Sequence, residues 1–273
     1  MSYLALAFDL DGTLLGRDER ISPRNVAAVQ RAHAAGMQVI LATARWFHLA
    51  AEAAEQLCEA GVPVVGPAVA CSGAQVRRLC DGVDLFDRRL PSAFASELAE
   101  YVESRRCIVW AALDDDVGVK MDGPTRDDLP HGLFQVTSLV DSVAKIAPRM
   151  VLVQGADAVA AIEADLGPTW GDRVRFVESF SSSGKRILTL TAQGADKGVA
   201  LRVACGELDI DPSSVVAFGD AENDIEMFRL TGASVAMGQA SAHVKAEASY
   251  VSSPGFDDGV ANAIDRLLER GTL

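Results

Sequence analysis

The sequence predicts an α/β fold, a doubly wound parallel sheet interrupted by a long insertion, and three observations carry that expectation. Apolar runs with little alternation, the kind that suit strands buried on both faces, recur near both ends of the chain. A helical pattern follows most of them, which is the rhythm of a parallel sheet. Between about Gly82 and Arg186 the texture changes, with more charged residues, Trp110 and Trp170, and an acidic turn at Asp114-Asp115-Asp116.

The first strand is Ala5-Leu6-Ala7-Phe8, and it stops at a carboxylate instead of an ordinary turn, in Asp9-Leu10-Asp11-Gly12-Thr13. Side chains two apart on an extended chain point the same way, so Asp9 and Asp11 face one pocket while Leu10 turns into the core. Gly12 permits a sharp turn and Thr13 can hydrogen-bond within it. Ser22-Pro23 then reads as an N-cap followed by proline at the first helical position, with the helix ending at Gly36. Met37 to Thr43 is a second buried strand, leading through Thr43-Ala44-Arg45 into an Ala- and Glu-rich helix. Pro67 to Cys71 is a third strand, closed by Ser72-Gly73. After the insertion a helix starts near Asp196, Val215 to Phe218 runs into Gly219-Asp220, and another helix follows from about Glu222. Ala233 to Met237 and Tyr250-Val251 are short final strands, and no internal repeat or low-complexity linker interrupts the series.

Composition narrows the functional classes. With 49% of its 273 residues hydrophobic, the chain can bury a substantial core, which excludes full-length disorder. Lys and Arg total 25 against 38 Asp and Glu, a formal net charge of -13 without any basic tract, so nucleic acid is not an expected partner. Cys58, Cys71, Cys80, Cys107 and Cys205 form no CxxC pair, which fits a reducing compartment. The first apolar run is too short for a signal peptide, and no stretch reaches the roughly 18 apolar residues of a membrane span. A soluble cytoplasmic protein is expected, a monomer or weak homodimer with no membrane partner. His33, His48, His131 and His243 are never at i,i+4 spacing and are read as ordinary residues, not zinc ligands.

In an open parallel sheet, ligands bind at the carboxyl ends of the strands. The polar residues expected there are Asp9 and Asp11, Thr43, Lys197 in Gly194-Ala195-Asp196-Lys197-Gly198, and Asp220, Asn223 and Asp224 in Gly219-Asp220-Ala221-Glu222-Asn223-Asp224. Singly, each has a structural explanation: a capped strand end, a helix cap, a solvated lysine, an acid at a helix N-terminus. Together, and in this order, they resemble the four motifs of the haloacid dehalogenase (HAD) superfamily. Gly-Asp-x-x-Asn-Asp, Ala-Met-Gly and Asp-Gly-Val-Ala narrow the resemblance to the Cof-like phosphatases. It implies a Rossmann-like catalytic core at 1–82 and 187–273 with a type IIB α/β cap at 83–186 that sets substrate specificity.

A phosphate monoester is a dianion, and a pocket containing Asp9, Asp11, Asp220 and Asp224 would repel it by several kcal/mol. A divalent cation is therefore required, and hard carboxylate oxygens favour Mg²⁺. The resemblance assigns Asp9 as nucleophile and Asp11 as general acid/base, with carboxylate crowding expected to raise the Asp11 pKa. It assigns the Asp9 carboxylate, the Asp11 carbonyl and Asp220 to the metal, with Asp224 in support. Thr43, the backbone at Ala44, Lys197 and Asn223 are assigned to phosphate. The implied activity is hydrolysis of a small phosphorylated metabolite through an aspartyl-phosphate. Two positions depart from the family pattern: Thr43-Ala44-Arg45 replaces Thr-Gly-Arg, and Met237-Gly238-Gln239-Ala240 replaces Met-Gly-Asn-Ala. Their expected consequence is geometric.

Other readings weigh less. A dinucleotide site needs a glycine-rich turn where this chain has two acids, and a P-loop ending at Gly184-Lys185 would need glycine where Ser179 stands. Ser181 to Lys185 is instead read as a turn. A phosphomutase would share the intermediate. A non-catalytic phosphate-responsive protein would share the acid pair, the threonine and the lysine, but would not need the second acid.

Overall fold

The computed structural model describes residues 3–123, 129, 131–180 and 184–273. They form two compact units, Met1–Phe86 with Asp196–Leu273, and Asp87–Ala195.

The first unit begins with β1 (Ala5–Phe8), wholly buried, followed by α1 (Pro23–Ala34), β2 (Gln38–Ala42), α2 (Phe47–Glu59), β3 (Pro67–Ala70), β4 (Gln75–Arg78) and β5 (Asp84–Asp87). The Ser22 hydroxyl accepts from the Asn25 N–H and Pro23 opens α1, so the helix starts where the cap signal puts it.

The second unit contains α3 (Ser92–Glu103), β6 (Ile108–Ala112), β7 (Val117–Lys120), β8 (Leu133–Gln135), α4 (Leu139–Lys145), β9 (Met150–Gln154), α5 (Ala156–Trp170), β10 (Val174–Phe180) and β11 (Arg186–Ala192). Its six-stranded sheet has the order β10-β11-β9-β6-β7-β8, antiparallel except between β7 and β8. Helices α3, α4 and α5 bury Phe94, Leu98, Ile162 and Trp170 in its own core, where the Phe94 and Trp170 rings meet edge-on. Because β11 pairs with both β9 and β10, the chain leaves this unit at Ala195, beyond the boundary expected at 186. Of the turn expected at Ser181 to Lys185, residues 181–183 lie outside the described residues.

The chain then returns to the first unit with α6 (Lys197–Glu207), β12 (Val215–Gly219), α7 (Ile225–Leu230), β13 (Ala233–Ala236), α8 (Ala242–Glu247), β14 (Tyr250–Val251) and α9 (Gly259–Arg270). The eight-stranded sheet has the order β14-β13-β12-β1-β2-β3-β4-β5, parallel from β14 to β3, with β4 antiparallel to β3. The strand alternation divides its two faces. Leu6, Phe8, Leu41 and Phe218 pack under α1, α2 and α9, while Ala5, Ala7, Ala42 and Ala217 pack under α6, α7 and α8. The Phe8 and Phe218 rings lie 4.8 Å apart, and burial of each contributes about 1.5–3 kcal/mol.

Beside β1 the strand order reverses, with β2 on one side and β12 on the other. Phe8 aligns with both Phe218 and Leu41, so the three strands end in register and open one crevice at their carboxyl ends. The antiparallel β4 and its neighbour β5 were not evident in the sequence. Gln75–Arg78 has no apolar run, and its place is set by pairing to β3. None of the five cysteines is in a disulfide, and no described helix is long and apolar enough to cross a membrane.

Candidate active site

The residue after β1 is Asp9, 5% exposed, at the floor of the crevice. Lys197, the first residue of α6 and 1% exposed, donates from Nζ to Asp9 Oδ1 at 2.6 Å and to Asp224 Oδ1 at 2.7 Å. Asp224 is wholly buried, and its Oδ2 accepts from the N–H groups of Asp220 and Ala221 at 2.9 and 3.0 Å. One carboxylate therefore both ties down the loop after β12 and holds the lysine.

Two glycines permit this packing. Gly12 has φ +77°, and a Cβ there would lie 2.3 Å from Asp220 Oδ2, so the β1 loop and Asp220 can meet only across bare backbone. After β3, Cys71, Ser72 and Gly73 are all left-handed, with φ 51°, 55° and 92°. A Cβ on Gly73 would lie 2.2 Å from the Asp196 carbonyl carbon and 2.6 Å from Lys197 N, so this turn backs directly onto the start of α6.

Asp9, Asp220 and Asp224 each offer a carboxylate oxygen within 4.8 Å of the others. Three acids face one ammonium, and the electrostatics follow. Burial pushes the Asp9 carboxyl well up, opposed by Lys197 and reinforced by Asp224 and Asp220. Asp220 is pushed up to about 6, mainly by burial, with a hydrogen bond from Gln239 opposing. Burial disfavours the Lys197 ammonium, yet Asp224 and Asp9 outweigh it and hold its pKa above the usual range. The lysine is held in its charged form, whereas burial and neighbouring acids favour the neutral form of Asp9 and Asp220. Hard oxygen donors at this spacing suit a divalent ion.

Asp11 is placed differently from expectation. Its carboxylate stands apart from the other three and takes a bidentate pair from Arg45, Nε at 2.8 Å and Nη2 at 2.6 Å, while Arg45 also reaches Glu19 at 3.2 Å. A guanidinium thus faces Asp11 directly, while the charge of Asp11 still reaches Asp220. Thr43 is buried, and its hydroxyl oxygen accepts from the Arg45 N–H at 3.0 Å, which leaves its own proton for another acceptor. Ala44 is half-buried between them. Asn223 sits on the loop after β12, its Oδ1 buried and without a hydrogen-bond partner among the described residues.

Sequence reasoning passed over Arg45 as a charge partner, although it lies two residues beyond Thr43. It noted Gln239 only as a departure from a pattern. In the structure Gln239 Nε2 donates to the Gly12 carbonyl at 2.6 Å and to Asp220 Oδ2 at 2.9 Å. No local sequence signal marks either contact.

A buried acid, a lysine and further carboxylates gathered at the carboxyl edge of a doubly wound sheet define a class of carboxylate-centred α/β enzymes. The sequence profile of the haloacid dehalogenase-like hydrolases matches residues 6–264, and the chain belongs to that family. An Arabidopsis thaliana chloroplast protein named as an endoribonuclease is 27% identical over 94% of this chain, which spans only 45% of that protein's length. The 5-amino-6-(5-phospho-D-ribitylamino)uracil phosphatase of Bacillus subtilis is 25% identical over 96% of this chain and 97% of its own. A HAD subclass IIB sugar phosphatase shares the fold with a TM-score of 0.79 and 21% identity, covering 97% of this chain and 98% of that one.

Proposed function

We propose that the protein hydrolyses a small phosphomonoester, a sugar phosphate or phosphorylated cofactor, in a Mg²⁺-dependent reaction through an aspartyl-phosphate on Asp9. The observation that carries this reading is the buried Asp9–Lys197–Asp224 chain with Asp220 beside it, a nucleophile held beside a fixed cation in a site short of positive charge. The relative that dephosphorylates a ribitylaminouracil phosphate supports the substrate class.

Asp9 attacks phosphorus in line, and the bond to the leaving oxygen breaks as Asp11 delivers a proton to it. Water then attacks the same phosphorus, Asp11 takes its proton, and phosphate leaves with Asp9 regenerated. In the structure both Asp11 oxygens face Arg45, so reaching the leaving oxygen requires that pair to open. Lys197 offsets charge on Asp9 and on one phosphoryl oxygen, while Thr43, the backbone at Ala44 and the Asn223 amide hold the others. The Asp9 and Asp220 carboxylates and the Asp11 carbonyl would hold Mg²⁺, with Asp224 in support. When bound, the ion supplies the positive charge that lets the acids and a phosphate dianion share the site. Every residue assigned to phosphate or metal belongs to the first unit, so we assign the choice of leaving group to the second.

The test is turnover of p-nitrophenyl phosphate with Mg²⁺ and with excess chelator, followed by acid quench and mass spectrometry. Turnover should need the metal, and the trapped phosphoryl group should map to Asp9. Undiminished rates in chelator would exclude the metal, and a label elsewhere would exclude the intermediate. A panel of phosphorylated metabolites then ranks substrates.

A further inference from the structure

We infer that Gln239 is a positioning residue for the proposed metal site, locking the Asp220 carboxylate against the β1 loop. The inference rests on the reading that Asp220 holds the ion.

Three separate loops meet at this side chain. Gln239 Nε2 spends both hydrogens, one on the Gly12 carbonyl at 2.6 Å and one on Asp220 Oδ2 at 2.9 Å, while Oε1 accepts from the Gly255 N–H at 3.0 Å. Only one orientation of the amide satisfies all three partners, because two oxygens face one end and an N–H the other. The contacts join the loop after β1, the loop after β12 and the turn before α9, and Gln239 itself lies 227 residues from Gly12 in sequence.

The position of these contacts matters more than their number. Gly12 directly follows Asp11 and lies two residues from Leu10, so its carbonyl belongs to the loop that contains both acids of the first motif. Asp220 Oδ2 sits over the same glycine, where even a methyl group would lie 2.3 Å away. An aspartate held only by its Cα–Cβ bond can turn about two torsions, whereas one oxygen fixed by Gln239 sets the plane of the carboxylate and leaves the second oxygen for another partner. Hydrogen bonds of this kind, one step removed from a metal, orient the ligand, and their loss typically costs about 10–100-fold in metal affinity. The length of the side chain is part of the fit. Asparagine is shorter by one methylene and cannot span from Gly255 to both Gly12 and Asp220 without moving one of the loops.

The experiment measures Mg²⁺ affinity apart from turnover, by thermal shift and calorimetric titration with MgCl₂ on the full chain. Gln239→Met keeps the length and removes the hydrogen bonds, and Gln239→Asn keeps the amide and removes the reach. Both are expected to raise the half-saturating Mg²⁺ concentration by about tenfold or more, with the parent midpoint of unfolding at saturating metal partly recovered. A side chain that only stabilised the fold would lower the metal-free midpoint and leave half-saturation unchanged. Half-saturation within twofold of the parent in both variants would therefore overturn the inference. Asp220→Asn separates it from the reading beneath it. If that variant binds Mg²⁺ as the parent does, Asp220 is no ligand, and both fall. If it loses binding while the Gln239 variants retain it, only the positioning role falls.

Discussion

In the second unit the buried guanidinium of Arg149 meets Asp87 through Nε at 2.8 Å and Nη2 at 3.1 Å, and its Nη1 reaches the carbonyls of Leu113 and Asp114. In the first unit the buried ammonium of Lys197 is shared between Asp9 and Asp224, with Asp220 alongside and no second cation paired to these three among the described residues. One cluster is closed, each charge answered by a partner. The other gathers three acids around one buried ammonium, an excess of acidic groups at depth that folding alone does not favour. Strand direction accounts for where the surplus collects. Parallel neighbours bring the carboxyl ends of β1, β2 and β12 to one edge, whereas an antiparallel sheet alternates its ends and disperses such residues. On the proposed function, the excess of acids marks a site that a ligand completes, and the closed cluster marks a brace.

The largest effect that could break this contrast is at the nucleophile. Asp9→Asn should lower kcat by about 10⁴-fold or more while circular dichroism and the unfolding midpoint stay near the parent's; turnover within tenfold would remove Asp9 from the chemistry. Asp11→Asn should be more selective. The loss should be about 10²–10⁴-fold on an alkyl phosphate and clearly less on p-nitrophenyl phosphate, whose leaving group departs without a proton; equal losses would count against a general-acid role.

Stability separates the two clusters further. Asp87→Asn leaves the buried Arg149 its carbonyl partners and the more distant Asp114 carboxylate at 3.9 Å but removes its closest counter-charge, and should lower stability by about 1–3 kcal/mol whether or not Mg²⁺ is present. Calorimetric unfolding with and without the metal checks this, and a dependence on Mg²⁺ would blur the distinction.

The smallest effect has the opposite sign. The Asp220 pKa is raised to about 6 from a usual 3.8, so between those values the folded state binds the proton more tightly than the unfolded chain. Stability from this group therefore falls as pH rises through that window, and the deficit is complete above about pH 6. Asp220→Asn should raise the unfolding free energy of the metal-free protein at pH 7–8 by about 1–3 kcal/mol, with the gain vanishing below about pH 4. Destabilisation at neutral pH would show that the ionised carboxylate is already satisfied by the protein.

The strands and helices of the first unit were largely legible because their signals are local. An apolar run ending at Asp9, Ser22-Pro23 before α1, Asp196 capping α6 through the Val199 N–H, and Gly219-Asp220 after β12 each state their geometry within a few residues. Two-residue alternation also set Leu10 into the core, where it is fully buried, apart from the acids on either side. The shared pocket expected for those acids was only half determined. Asp9 turns down onto Lys197, but Asp11 is drawn off by Arg45, a partner 34 residues away. The pairing of β4 with β3, the membership of β11 in the second sheet, and the span of Gln239 to a carbonyl 227 residues distant were likewise decided only in three dimensions. Propensity and capping are properties of neighbouring residues, so sequence records them. A hydrogen bond between distant loops depends on how whole elements pack, and that is settled by burial and register across the sheet.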